Sequence, residues 1–512
     1  MNKKYISYSL IFLGITLRLI EYFHDNSFWL DETFVALNVM QQSYYELTQP
    51  LLYEHHAPIG FLLIQKFITN VFGYSEYAFR IYPQLASIVS VFLFYKVSKF
   101  FLNEKGRFLA LFLFSTCVAL IHYSAEGKPY AGDVFFSLLL LYFSIKTFKK
   151  SINWGNIILF GITGAIAIWC AYSSVFVLAG IGTGIIYKFF KDKTPKQILK
   201  YLPAFILWGL SFIGFYSHAL LKAINEKLVI DVFGQFYVPT PFSLKSLLWI
   251  LNMTWLQIKY MPLSYEVLIF LFLGLFLMFK KDRVKFIILF LPYIFCLVAS
   301  FLQQYPFWQR AILFLISGII IFISLGFEEL YDFIAKKFSK IIYVKALLLL
   351  ILVFIILVPT IASVYNINHP RLNQDVKPAM KFLSENVKPG DTIYIHKHLM
   401  YALKYYGPRY GFIAPKDLEP PLKTWGIQRE FKENDSTIIL GHSDGADIEK
   451  EKYFGEIKND LEKLKGTKRV WLFLTDLKWR AYDETQFIKT YINKPPIKSF
   501  KSEGMEVLLY EL

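Results

Sequence analysis

A succession of apolar segments long enough to cross a bilayer, with short basic clusters in alternate connections, governs what this chain can become. A helix needs about 20 residues to span the hydrocarbon core. Eleven such segments lie near residues 5–22, 82–101, 107–123, 130–147, 155–171, 173–190, 201–220, 265–280, 284–302, 310–327 and 344–364. The run Phe61–Phe72 is too short to cross comfortably; with Gln65 and Lys66 in it, it reads as an amphipathic helix along the interface. A content of 55% hydrophobic and only 18% charged residues lies outside the range of soluble domains, and 51 Phe suit surfaces that face lipid. The expected fold is a polytopic α-helical membrane protein: residues 1–365 form a transmembrane domain and residues 366–512 a soluble α/β domain.

The net charge of +16 does not mark a nucleic-acid surface. From Tyr365 onward 24 Lys and Arg face 21 Asp and Glu, so the surplus lies in loops of the hydrophobic part. Threading the spans sorts those loops. One side collects 22 basic residues, in clusters around Lys3, Lys99, Lys149, Lys193, Lys281 and Lys337. The opposite side holds eight: Lys66, Arg80, Lys128, Lys222, Lys227, Lys245, Lys259 and Arg310. The positive-inside rule then places the N-terminus in the cytoplasm and, after an odd number of spans, the C-terminal domain outside. The membrane expected is the bacterial inner membrane. The first segment reads as an uncleaved anchor, because no small-residue cleavage site follows it.

Two loops on the sparsely charged side are long, residues 24–81 and 221–264. Cys117, Cys170 and Cys296 all fall inside apolar segments, without metal-ligand spacing, and read as small core residues. In the C-terminal domain, Lys388-Pro-Gly-Asp391 is a turn before the strand Thr392–His396. Ser436–Leu440, Arg469–Thr475 and Glu506–Tyr510 read as further strands, and Glu449–Leu464 as a helix. Strands alternating with helices indicate an α/β domain.

The sharpest local feature is Phe28-Trp-Leu-Asp31-Glu32, just after the first span. Two adjacent carboxylates near a bilayer can supply a general base, since low dielectric and mutual repulsion raise at least one pKa. Alone, the pair reads more simply as an acidic helix start with Asp31 as N-cap. Further on, His55 and His56 could meet a phosphate, a divalent metal or only water. Arg80 opens the second span. The third and fourth spans are joined by a connection carrying Glu126, Lys128, Tyr130 and Asp133, and Arg310 stands at the mouth of the tenth. A lysine on the side where lysine is rare is a candidate phosphate ligand; snorkelling is the bland account of any one such residue. Arg18 and Glu21, three apart, read as a structural ion pair. Carboxylates, histidines and isolated cations on one face suggest a base beside cationic phosphate ligands, with a lipid-phosphate sugar as the natural donor.

In an ordered set of motifs the sequence resembles the membrane glycosyltransferases of the GT-C class. The likeness is to the dolichyl-phosphate-mannose protein mannosyltransferases of glycosyltransferase family 39 and to the bacterial lipid A aminoarabinose transferases. The motifs are Trp29-Leu-Asp31-Glu32, His56-Ala-Pro58, Gly73-Tyr-Ser-Glu76 and Arg80-Ile-Tyr-Pro83. They cover roughly residues 10–135, and Ala57 stands where the family commonly has its first proline. The resemblance implies inverting transfer from a polyprenyl-phosphate sugar to a hydroxyl on a glycan, lipid or protein, outside the cytoplasm. It implies Asp31 as base with Glu32 in support, and His56 at the donor phosphate. Lys128 and Arg310 join His56 on grounds of side and depth; His55, Arg80, Glu126 and Tyr130 are further substrate-site candidates. No cofactor is required by any spacing, although Asp31, His55 and His56 could take a divalent metal.

A lipid or polysaccharide exporter would place polar residues deep in several spans and show paired repeats. An O-antigen-type polymerase would put key arginines in large later loops. A catalytic C-terminal domain on a mere anchor would leave eleven spans without a purpose, and His442 and Asp444 form no recognisable triad.

Overall fold

The computed structural model describes residues 3–53, 56–148, 154–220, 234–261, 263, 265, 267–337, 342–412, 429–433, 436–441, 450–475 and 483–512. The chain divides into two compact units: residues 1–24, 57–73 and 77–370, and residues 25–56, 74–76 and 371–512.

The first unit is helical. Its helices are α1 (Lys3–Phe23), α3 (Ile59–Phe72), α4 (Glu76–Phe101), α5 (Glu104–Thr116), α6 (Val118–His122), α7 (Tyr130–Thr147), α8 (Trp154–Cys170), α9 (Ser174–Lys191) and α10 (Leu202–Phe215). They continue with α11 (Leu244–Lys259), α12 (Val267–Lys281), α13 (Arg283–Phe301), α14 (Ile316–Lys337) and α15 (Ile342–Asn368). Each of the eleven expected spans coincides with helix. Among the described residues seven helices are long and apolar enough to cross a membrane, or eight if the pair bent by 50° at Cys117 counts as one. The outward positions are themselves apolar: Phe12, Leu210, Ile213 and Phe272 are all exposed, as lipid-facing side chains are. Helix α3 has the same inverted polarity. It turns Gln65 and Thr69 inward and Phe67, Val71 and Phe72 outward. Helix α14 is the packed centre, buried from Ile316 to Glu328. It crosses α12 at Gly326 and Gly274, where a Cβ on either glycine would lie 1.9 Å from the other helix's carbonyl oxygen. Cys117, Cys170 and Cys296 are free and buried.

The break at Cys117 exposes the last carbonyls of α5, which have no intrahelical donor. Arg18, fully buried on α1, donates to the carbonyls of Ser115 and Phe114 at 3.3 and 3.4 Å, to Gly14 O at 2.9 Å, and to Ser87 Oγ at 2.7 Å. Ser363 of α15 takes the Thr116 carbonyl at 2.8 Å. Arg18 is thus the tie between α1, α4 and α5, and the expected Arg18–Glu21 pair does not form. A buried guanidinium with five donors is better satisfied by several fixed carbonyls than by one carboxylate.

The second unit carries a six-stranded sheet in the order β2-β3-β1-β4-β6-β5. The strands are β1 (Thr392–Ile395), β2 (Arg429–Glu433), β3 (Ser436–Leu440), β4 (Val470–Thr475), β5 (Lys498–Ser502) and β6 (Met505–Tyr510). β1 runs parallel to β3 and β4, and the other pairings are antiparallel. β4 and β6 are buried throughout; β4 is apolar up to Thr475, and the one charge in β6, Glu506, is paired with Lys489. The expected strands and the helix α18 (Lys450–Lys463) are present; α16 (Val376–Asn386), α17 (Met400–Tyr406), α19 (Glu484–Ile492), β2 and β5 are additions. His442 and Asp444 lie outside the described residues. Residues 25–53 also belong to this unit, and include α2 (Leu30–Gln41).

Asp391 is the polar anchor of the sheet. It accepts from Arg469 Nε and Nη2 at 2.6 and 3.1 Å, from the Trp471 indole at 2.8 Å and from the Lys388 amide at 2.9 Å. Burial pushes its carboxyl up, but the Arg469, Lys388 and Trp471 hydrogen bonds outweigh that and hold it below the usual carboxylate range. A carboxyl depressed in the folded state contributes stability above its unfolded pKa, and that contribution fades as pH falls through the folded value. The domain should therefore loosen in acid, below about pH 4. Asp391→Ala should remove that dependence and cost about 3 kcal/mol, read by denaturant unfolding of Trp471 fluorescence.

Candidate functional site

The sequence-selected residues divide between the two units. In the helical unit, the connection between α6 and α7 folds inward: Glu126 and Lys128 are 3% and 2% exposed, so this is no solvated hairpin tip. The Lys128 amide donates to Glu126 O at 2.7 Å, which closes a tight turn that sets both side chains. Glu126 Oε2 lies 3.3 Å from His122 Nε2, and the other ring nitrogen is 3.6 Å from Glu21 Oε1 on α1. Burial pushes the Glu126 carboxyl up, but His122, Arg310 and Lys128 together bring it below the ordinary carboxylate range.

Arg310 places its guanidinium 5.6 Å from the Tyr130 ring centre, a cation–π contact. Its neighbour Gln309 is held from α11: Gln257 Nε2 donates to Gln309 O at 2.7 Å, and the Tyr260 hydroxyl donates to Gln309 Oε1 at 2.6 Å. Phe307 N donates to Phe236 O at 2.9 Å. The second long loop thus positions Arg310; residues 221–233 of that loop lie outside the described part. Asp133 is buried on α7 and accepts from Ser173 at 2.9 Å. Arg80 is buried on α4.

Glu126 here feels two permanent cations, Lys128 and Arg310, while Glu21 and Glu126 both face His122. Protonation of His122 leaves one positive charge over, which suits an anion. Sequence reasoning leaves out His122 and reads Glu21 only as a partner for Arg18. The i,i+4 spacing of His122 and Glu126 was visible, but nothing local announced Glu21, 101 residues earlier.

In the other unit, Asp31 and Glu32 stand in the first turn of α2. The N-cap is Trp29, not Asp31. Glu32 is 3% exposed and Asp31 is half-buried. His56 is half-buried in the extended stretch before α3, and His55 lies outside the described residues. Among the described residues no three His, Cys, Asp or Glu side chains come together as a metal site.

The crystal structure of ArnT from Cupriavidus metallidurans bound to undecaprenyl phosphate superimposes with a TM-score of 0.55 at 9% identity, over 99% of this chain and 98% of that one. Its apo state gives 0.52 at 9% identity, over 98% and 97%. The fold is that of the GT-C class. The Archaeoglobus fulgidus oligosaccharyltransferase in complex with Zn and sulfate matches with a TM-score of 0.49 at 12% identity, over 78% of this chain; this chain spans 61% of that protein's length. By sequence, residues 55–220 match the profile of the dolichyl-phosphate-mannose-protein mannosyltransferases. No curated protein matches significantly in sequence. Within the GT-C fold the profile match takes in His56, Arg80, Glu126, Lys128 and Tyr130, and ends short of Asp31, Glu32 and Arg310.

Proposed function

We propose that this protein is a membrane glycosyltransferase that moves a sugar from a polyprenyl-phosphate donor to an acceptor hydroxyl on the extracytoplasmic face. The observation that carries the reading is the buried pair Glu126 and Lys128 beside the half-buried His122 and Arg310, set within a GT-C fold. ArnT, a solved protein of the same fold, is bound to undecaprenyl phosphate in its crystal structure. Lys128 and Arg310 receive the donor phosphate, with Glu126 fixing the lysine and Tyr130 the arginine. His56 adds a donor to the phosphate, and Arg80 is a further substrate contact.

Asp31 is the base, supported by Glu32. The acceptor oxygen attacks the anomeric carbon while its proton passes to the Asp31 carboxylate. The bond from that carbon to the phosphate oxygen breaks, and its electron pair stays on the phosphate, which Lys128 and Arg310 stabilise. In-line displacement inverts the anomeric centre and releases polyprenyl phosphate. The basic loops put the N-terminus in the cytoplasm and residues 366–512 outside, in a bacterial inner membrane. No metal is needed in this scheme; one could sit at Asp31 and the two histidines.

Purified full-length protein should be incubated with polyprenyl-phosphate sugars and envelope glycan or lipid acceptors, and the product's anomeric configuration read by NMR. An inverted glycoside with stoichiometric polyprenyl phosphate supports the reading. Intact donor in every combination, or lipid moved between leaflets without bond cleavage, overturns it.

A further inference from the structure

The helix that presents Asp31 and Glu32 begins without a cap of its own. Trp29 occupies the N-cap position, and an indole offers the first-turn amides no acceptor. The missing acceptor comes from the far end of the chain. Gln374 Oε1 takes the Leu30 amide at 2.8 Å, across 344 positions of sequence. The carboxamide of Gln374 is itself fixed, its Nε2 donating to Thr475 Oγ1 at 2.7 Å; Thr475, at the end of β4, donates to Gly504 O at 3.0 Å. Two residues earlier in the loop, the Phe28 amide donates to the Tyr406 hydroxyl of α17 at 2.7 Å. Ser27 Oγ donates to Asp375 Oδ1 at 2.7 Å and accepts from the Lys377 amide at 3.0 Å.

Aromatic contacts extend the attachment. Phe28 packs on Tyr405 and Phe34 on Tyr401, with ring centres 5.1 and 4.5 Å apart. At the other end of the loop, Glu76 receives both bonds of a forked Arg409 contact at 2.9 and 3.1 Å. Every one of these partners lies in residues 371–512. They hold the two amides that precede Asp31 as well as the rings on either side of it. A loop merely resting on a domain would not need its helix start capped by a glutamine locked to the central sheet.

We propose that the C-terminal domain is a positioning element for the base: Gln374 and Tyr406 set the start of α2 and thereby the direction in which Asp31 points. The proposal rests on the reading of Asp31 as base. Gln374 and Tyr406 are positioning residues and touch no substrate. A displacement of about 1 Å at a reacting group is enough to lower a rate a hundredfold, so a lost cap should appear in turnover before it appears in binding.

The test compares full-length wild type, Gln374→Leu, Tyr406→Phe and Gln374→Glu. Amide hydrogen exchange over residues 28–33 is measured beside kcat and KM for a polyprenyl-phosphate sugar. Gln374→Leu and Tyr406→Phe should each speed exchange roughly tenfold at Leu30 or Phe28. Each should lower kcat roughly tenfold with KM for the donor within about twofold. Gln374→Glu keeps an acceptor for Leu30 and should recover most of both. Unchanged exchange in both variants overturns the attachment. Faster exchange with unchanged kcat, or with kcat and donor KM worsening together in step with lost thermal stability, overturns the positioning role. Wild-type protein that transfers no sugar defeats the parent reading and is told apart by the exchange data, which do not depend on activity.

Discussion

Asp31→Asn should reduce sugar transfer by roughly a thousandfold while leaving the protein folded and able to bind polyprenyl phosphate. The substitution preserves shape and hydrogen-bonding reach and removes only the capacity to take a proton. General-base assistance is typically worth between a hundredfold and ten-thousandfold. Asp31 lies in the first turn of α2, where a negative charge favours the helix by about 0.3–1 kcal/mol. That modest loss cannot unfold a domain, so a thousandfold fall in kcat would be a loss of chemistry. Glu32 is buried beside it, and Glu32→Gln should cost less, about tenfold, if its part is to keep charge near Asp31. Turnover of a polyprenyl-phosphate sugar by purified variants, with donor binding measured in parallel, separates the two roles.

The second large effect is expected at Lys128. Lys128→Met should lower kcat/KM for the donor by a hundredfold to a thousandfold, because a cation aimed at developing phosphate charge in a dry site is worth about 3–4 kcal/mol. It should also destabilise the helical unit by about 3 kcal/mol, since Glu126 remains buried with fewer compensating charges. Pairing the change with Glu126→Gln distinguishes these effects. The double variant should regain thermal stability in detergent without regaining donor affinity. Recovery of both would mean that Lys128 only neutralises Glu126.

Most of the helical unit could be read from the sequence, because apolar length and basic punctuation are local properties. The break at Cys117 could not be: Thr116-Cys-Val118 contains neither proline nor glycine, and the helix bends there because Arg18 and Ser363 satisfy the carbonyls it frees. Arg18 and Glu21 illustrate the opposite error. Their i,i+3 spacing suggests a pair, yet burial sends the guanidinium to backbone carbonyls and leaves Glu21 facing His122. In the C-terminal domain the buried strands β4 and β6 announced themselves by predominantly apolar runs. The short edge strands β2 and β5 did not, since Arg429–Glu433 and Lys498–Ser502 alternate weakly and carry charge.

For the candidate site, the ordered motifs pointed to Asp31, and side and depth to Lys128 and Arg310. What stayed hidden were partners remote in sequence. Nothing near Trp29 announces that Gln374 caps the next residue, and nothing near Gln303–Arg310 announces that Gln257 and Tyr260 hold Gln309. Such contacts depend on how distant segments pack, which a local pattern does not encode.

Donor binding should depend on Lys128 and Arg310 of the helical unit. Cryo-electron microscopy of the protein in nanodiscs loaded with a polyprenyl phosphate tests it most directly. The expected map shows the phosphate within hydrogen-bonding distance of Lys128 and Arg310, and loses it in Lys128→Met. A phosphate seated elsewhere, or the same density in Lys128→Met at equal occupancy, would contradict the account.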